Sequence, residues 1–216
     1  MRRQLLLRKE IALSVPLDPT GPITAEAAPE QHSQDRFIVD VVVDPSLAAD
    51  VAEVAAATFP LACPPHSSPD DIAGFINANL AEANFAAYIA SDESDVLVAR
   101  TPDGTTVGYS LVHHRPPSDP DVAAVVVEAP SSELSKMYVL PDHHSRGRTD
   151  PPGQLLMRAA IETARDRGSV LVWLGVNQEN VRAQRFYAKM GFERAGVKTF
   201  DLNGSIENDF ILTRRL

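Results

Sequence analysis

The sequence predicts an α/β domain: a mixed, mostly antiparallel sheet with one central parallel strand pair and helices on its flanks. Three observations carry that prediction. Residues 133–192 read strand, loop, helix, strand, helix, and two parallel neighbours joined by a helix are the natural fold of such a run. Upstream, residues 96–100 and 107–113 flank Pro102-Asp103-Gly104, a hairpin turn signal. Downstream, residues 195–202 and 209–214 flank Asn203-Gly204, which closes a second antiparallel pair.

Residues 1–35 show no sustained period and contain Pro16, Pro19, Gly21, Pro22 and Pro29. They read as a poorly ordered N-terminal extension, with one domain over residues 36–216. Residues 37–43 are a short β-branched run, the first strand. Asp44-Pro45 then starts a helix, with Asp as N-cap and Pro at the first helical position. Leu47, Val51, Val54 and Ala55 form its apolar face. The proline-rich stretch 59–66 breaks it, and Ser68-Pro69-Asp70-Asp71 starts the next helix with the form of a capping box. Ile72, Phe75, Ile76 and Leu80 continue that helix, and Phe85 and Ile89 mark a short one over residues 82–90. Residues 114–132 read as a loop, and their β-prone patch 122–127 is open between strand and loop. The central unit follows: strand 133–140, loop 141–153, helix 154–167, strand 169–176 and helix 181–190.

Composition narrows the function. The 216 residues carry a net charge of −9, which disfavours nucleic-acid binding because phosphate neutralisation needs clustered Lys and Arg. No apolar run approaches the roughly 18 residues of a membrane span. The basic start holds three consecutive leucines, too few for a secretion signal. The lone Cys63 excludes an internal disulfide framework and fits a reducing compartment, so the expectation is a cytoplasmic protein.

Chemistry concentrates in the central unit. Unpaired amides and the dipole at the start of its first helix favour a phosphate. On its second helix Ala183, Phe186, Tyr187 and Met190 share one face, which places a phenol on an apolar stripe. Elsewhere the signals are weaker. His113-His114 and His143-His144 are adjacent pairs without a cysteine or HxxxH partner, so no metal is expected. Cys63 lacks an evident base, and Trp173 sits in an apolar strand that reads as core.

These residues resemble the GCN5-related N-acetyltransferase (GNAT) superfamily. The resemblance rests on Glu133-Leu-Ser-Lys-Met-Tyr-Val-Leu-Pro141, His144-Ser-Arg-Gly147, Gly153-Gln-Leu-Leu156 and Asn180-Val-Arg-Ala-Gln-Arg-Phe-Tyr-Ala-Lys-Met-Gly-Phe192, in that order. A shorter likeness joins residues 199–212 to the C-terminal hairpin of bacterial polyamine-type members. The resemblance implies a GNAT-like sheet whose parallel pair splays, with acetyl-CoA bound in the splay. Main-chain atoms of Met137, Tyr138 and Val139 pair with the pantetheine arm, although the Tyr138 side chain points to the opposite face and reads as packing. The pyrophosphate sits on the loop from His144 through Ser145, Arg146, Gly147 and Gly153 to Gln154. Asn180, beside Phe186, hydrogen-bonds the cofactor arm, and Lys189 stands towards the adenosine-side phosphate or in solvent. Tyr187 is the general acid and Glu133 the general base, directly or through water. An N–H near Val139 receives the oxyanion, provided the strand bulges or splays there.

One departure from the family pattern stands out. Five residues, 148–152, separate Gly147 from Gly153 where one is usual, and they include Asp150 and two prolines without amide hydrogens. The implied activity is acetyl transfer to a primary amine of a small, polyamine-like molecule or a peptide, by direct attack in a ternary complex. The alternative is a degenerate domain that binds acyl-CoA as a sensor or interaction module. Phe59, Leu61, His66 and the final hairpin wall the acceptor side, and Glu82, Asp92 and Glu93 are further acidic candidates. The exposed hairpin edge offers a homodimer contact.

Overall fold

The computed structural model describes residues 36–144, 150–202 and 204–216. The expected N-terminal extension, Ser145, Arg146, Gly147 and the first two residues of the insertion lie outside the described residues.

The described strands form one sheet: β1 (Ile38–Val41), β2 (Ser94–Arg100), β3 (Thr106–His113), β4 (Ser131–Val139), β5 (Leu171–Asn177), β6 (Glu193–Leu202) and β7 (Ser205–Arg215). Their order is β1-β2-β3-β4-β5-β7-β6, antiparallel throughout except for the parallel pair β4–β5. The last strand in sequence is therefore inserted next to the central pair. Helices α1 (Ala48–Thr58), α2 (Pro69–Asn79), α3 (Glu82–Ala90) and α4 (Pro120–Val125) serve one face, and α5 (Pro152–Asp166) and α6 (Val181–Lys189) the other.

The start signals work as local chemistry dictates. Asp44 accepts from the Ser46 amide at 2.9 Å, and the first turn, Pro45–Leu47, is a tight 3-10 turn that leads into α1. Ser68 accepts from the Asp71 amide at 3.1 Å. The patch 122–127 is neither strand nor loop: it falls mostly in helix α4. Asp119 caps it through the amides of Asp121 and Val122, with Pro120 at the first helical position. That start signal outweighs the β preference of the valines, because Val122 buries its side chain in a cluster with Trp173 and Ile211.

The sheet separates two cores. Leu134, Val139, Leu156, Met157, Ala160, Val172 and Leu174 pack under α5. Val51, Val54, Leu80, Phe85, Tyr109 and Leu111 pack under α1 and α3. Each fully buried aliphatic side chain contributes about 1.5–3 kcal/mol. Gly108 on β3 is required by close approach: a Cβ there would lie 2.8 Å from the Tyr138 carbonyl and 2.9 Å from Val139.

Candidate active site

The parallel pair opens after three rungs. Ser131, Ser132 and Glu133 register with Leu171, Val172 and Trp173, and beyond Glu133 the two strands part. A cavity of about 850 Å³ fills the gap and runs through to both faces of the sheet. Beside it, β4 carries a bulge. Lys136 faces Leu111 and Leu134 faces Val112, so Ser135 is the extra residue.

Strand alternation decides which main-chain groups face the gap. The Leu140 amide donates to Val107 of β3 at 2.8 Å, so the Val139 and Met137 main chains turn the other way, towards β5. Tyr138 departs from expectation here. Its carbonyl faces Gly108 of β3, so its main chain is spent on the sheet. Its side chain lines the cavity on the α1 face, where burial pushes the phenol pKa up.

His144 also has a different role from the one expected. Its Nε2 donates to the Val139 carbonyl at 2.7 Å, and its Nδ1 accepts from Arg182 at 2.7 Å. The ring pins the loop to the end of β4 instead of presenting a free donor. Burial and the neighbouring Arg182 lower its pKa, which keeps it in the neutral form this bonding pattern needs.

The insertion leaves the helix start intact. Pro152 occupies the first helical position of α5, and the Gln154 and Leu155 amides donate to the Pro151 carbonyl at 2.9 and 3.2 Å. The Gly153 amide stands outside those bonds, and Gly153 and Gln154 both line the cavity. The Asp150 carboxylate is met by Arg158 of α5 at 2.6 Å. Helix α5 thus supplies the counter-cation for the insertion's acid near a site suited to phosphate.

Helix α6 brings the remaining residues expected on the cofactor side. Asn180 caps it, with Oδ1 accepting from the Ala183 amide at 3.0 Å, while its Nδ2 has no hydrogen-bond partner among the described residues. Gly191, at φ +82°, ends the helix, and the Phe192 amide returns to the Tyr187 carbonyl at 3.0 Å. Phe186 and Tyr187 line the cavity, and Tyr187 sits edge-on between Phe186 and Phe192. Burial pushes the Tyr187 phenol up to about 12, so it holds its proton at neutral pH. Lys189 is exposed and does not line the cavity.

Glu133 occupies the last closed rung and does not line the cavity. Burial raises its pKa against the opposing effects of Lys136, Lys198 and Arg115. The carboxylates that do reach the cavity are Glu207 and Asp209 of β7. Sequence reasoning missed both, although residues two apart on a strand share a face. Glu207 accepts from His66 at 3.0 Å; His66 does not line the cavity, whereas Phe59 and Leu61 do. Glu82, Asp92 and Glu93 do not line it. Phe59 stacks on Phe75, which meets Phe200 edge-on, so three rings and the two acids line the same cavity. Burial and the Glu207 charge push the Cys63 thiol up to about 11, which leaves it a poor nucleophile.

Among the described residues no cluster of three metal-ligating side chains occurs. His113 bonds Ser94, and His114 bonds Ser132 and Asp95. No helix among the described residues is long and apolar enough to cross a membrane.

The acetyltransferase (GNAT) family model matches residues 55–192. An uncharacterised N-acetyltransferase of Mycobacterium bovis is 46% identical over 169 residues, covering 78% of this chain and 97% of the relative. One from Lactobacillus delbrueckii subsp. lactis is 27% identical over 69% of this chain and 81% of its own length. Among solved structures, the PaiA N-acetyltransferase of Thermoplasma acidophilum, crystallised with coenzyme A, shares the fold. Its TM-score is 0.63 at 19% identity, over 83% of this chain and 99% of that one. A GCN5-related N-acetyltransferase of Rhodopseudomonas palustris gives a TM-score of 0.60 at 23% identity, over 83% of this chain and 95% of its own. The splayed parallel pair, the bulged β4 and the capped α6 thus meet a family match over most of the same residues, and the chain belongs to the GNAT family of N-acetyltransferases.

Proposed function

We propose that the protein transfers an acetyl group from acetyl-CoA to a primary amine, with residues 36–216 as the working domain and residues 1–35 as an extension outside it. The observation that carries this reading is the gap beyond Glu133. It offers the Met137 main chain and the Val139 N–H to an extended arm, and it leads from the α5 start to Tyr187. A pantetheine arm has the amide groups to pair with such an edge, as an added strand would. The Gly153 amide and the helix start suit the pyrophosphate. The Asn180 Nδ2 suits an amide carbonyl of the arm, and the coenzyme A bound by the Thermoplasma relative supports the same donor.

The chemistry follows from the groups present. The acceptor arrives as an ammonium and must lose one proton before its nitrogen lone pair attacks the thioester carbon. The C–N bond forms, and the Val139 N–H faces the gap where the oxyanion develops. The C–S bond then breaks, and the leaving thiolate takes the Tyr187 proton. The second proton lost by nitrogen restores the phenol. The acyl-CoA sensor is the second reading, favoured by the long 148–152 loop with its two amide-less prolines.

Titration calorimetry with acetyl-CoA, and with CoA alongside, tests the proposal. Binding in the micromolar range, followed by thiol release with primary amines including spermidine, is the expected result. Binding without thiol release from any amine would move the protein to the sensor reading. No heat up to millimolar acetyl-CoA would overturn both.

A further inference from the structure

We infer that Asp209, on the β7 wall of the cavity, receives a primary ammonium carried on an apolar or aromatic body and takes its proton. This rests on the acetyl-transfer reading above. Asp209 is 8% exposed, yet its carboxylate has no hydrogen bond and no ion pair among the described residues. A buried carboxylate without a donor is costly, and one that opens onto a cavity is a site for an incoming cation. The floor beside it is kept clear by Gly175. A Cβ there would lie 3.0 Å from Asp209 Oδ2 and 2.8 Å from the Lys198 side chain. The same cavity is lined by the rings of Phe59, Phe75 and Phe200, the last on β6 across from Glu207, and they suit an apolar body or a cation.

The neighbouring charges agree with this occupant. Lys198 on β6 stands directly across from Asp209 and its charge works to lower the carboxyl pKa, but it makes no ion-pair contact with it. Lys136 on β4 lines the cavity, and burial lowers its pKa, which weakens it as a competing cation. Glu207 is 7% exposed and is held by His66, and its charge adds to the burial that raises Asp209 to about 6. Tyr138 and Cys63 keep their protons at neutral pH, because burial raises both. The step balances simply. The ammonium N–H bond breaks, its proton passes to the Asp209 carboxylate, and the free lone pair goes to the thioester carbon.

The test measures binding of phenethylammonium and of its neutral analogue phenethyl alcohol, with CoA present, to the wild type, Asp209→Asn and Glu207→Gln. The wild type should prefer the cation, with affinity rising through pH about 6 as Asp209 ionises. Asp209→Asn should weaken the cation at least about thirtyfold, abolish its preference over the alcohol and leave CoA affinity unchanged. Glu207→Gln should weaken it less. Equal affinity of wild type and Asp209→Asn for the cation, or no preference for the cation in the wild type, would overturn the inference and leave the acetyl-transfer reading standing. Loss of CoA binding in the wild type would instead strike the underlying reading.

Discussion

The two ends of the β4–β5 pair treat polar groups in opposite ways. At the closed end Ser132 is fully buried, and its hydroxyl meets His114 at 2.8 Å and Ser169 at 2.7 Å. His114 meets Asp95 at 2.9 Å, and Arg167 holds that carboxylate at 2.9 and 3.1 Å. By residue type this Asp-His-Ser chain looks like a nucleophile with its base. It is sealed from substrate and ties β2, β3, β4 and the start of β5 together. Among the described residues the exception at that end is Trp173 Nε1, buried without a partner. At the open end Asp209 is buried without a donor among the described residues, and the Met137 and Val139 main chains face a gap. The comparison teaches that satisfied polar groups mark the scaffold, and that unsatisfied ones around a cavity mark where a ligand completes the structure.

The largest expected break of the open end is Tyr187→Phe. It keeps the ring between Phe186 and Phe192 and removes the proton, so turnover should fall about 10²–10⁴-fold while acetyl-CoA affinity stays constant in calorimetry. An unchanged turnover number would remove Tyr187 from the mechanism.

Asp209→Asn should cost function yet gain stability. The folded pKa of about 6 lies above the ordinary 3.8, so the fold favours the protonated carboxyl. Below about pH 4 the group is protonated in both states and imposes no penalty. The penalty grows as pH rises and is complete above about 6, where it reaches at most about 3 kcal/mol. Urea titrations should therefore show the variant more stable than wild type at pH 7.5 and equal to it near pH 4. An equal gain at both pH values would contradict this. At the closed end the sign reverses. Ser132→Ala strips a partner from His114 and Ser169 and should lose about 1–2 kcal/mol of stability, with acetyl-CoA affinity unchanged.

The scaffold was legible in sequence because its signals are local. Asp44-Pro45 and Ser68-Pro69 start helices wherever they stand, and the strand–helix–strand run at residues 133–176 fixes a parallel pair. Asp119-Pro120 carried the same signal for α4, but the valines after it masked it. The acceptor side was less legible. The final hairpin could be placed there, but not the residues it brings. β7 inserts between β5 and β6 and sets Asp209 opposite Asn177, and no local period reports such a pairing. Glu133 was the expected base because it begins a strand on the functional unit. Where the strands part is a matter of register, and the split falls just beyond it.

The smallest expected effect separates scaffold from ligand within one residue. The Asn180 Oδ1 is a cap, and its Nδ2 has no partner among the described residues and stands at the cavity. Asn180→Asp keeps the acceptor, and Asp caps a helix about as well as Asn. Helix stability should hold within a few tenths of a kcal/mol. Losing one donor to the cofactor arm should weaken acetyl-CoA about fivefold, the effect of a hydrogen bond worth about 1 kcal/mol. Asn180→Ala removes both functions and should lower the melting temperature as well. If Asn180→Asp binds acetyl-CoA as tightly as wild type, Asn180 belongs wholly to the scaffold, and the open end starts one residue later on α6.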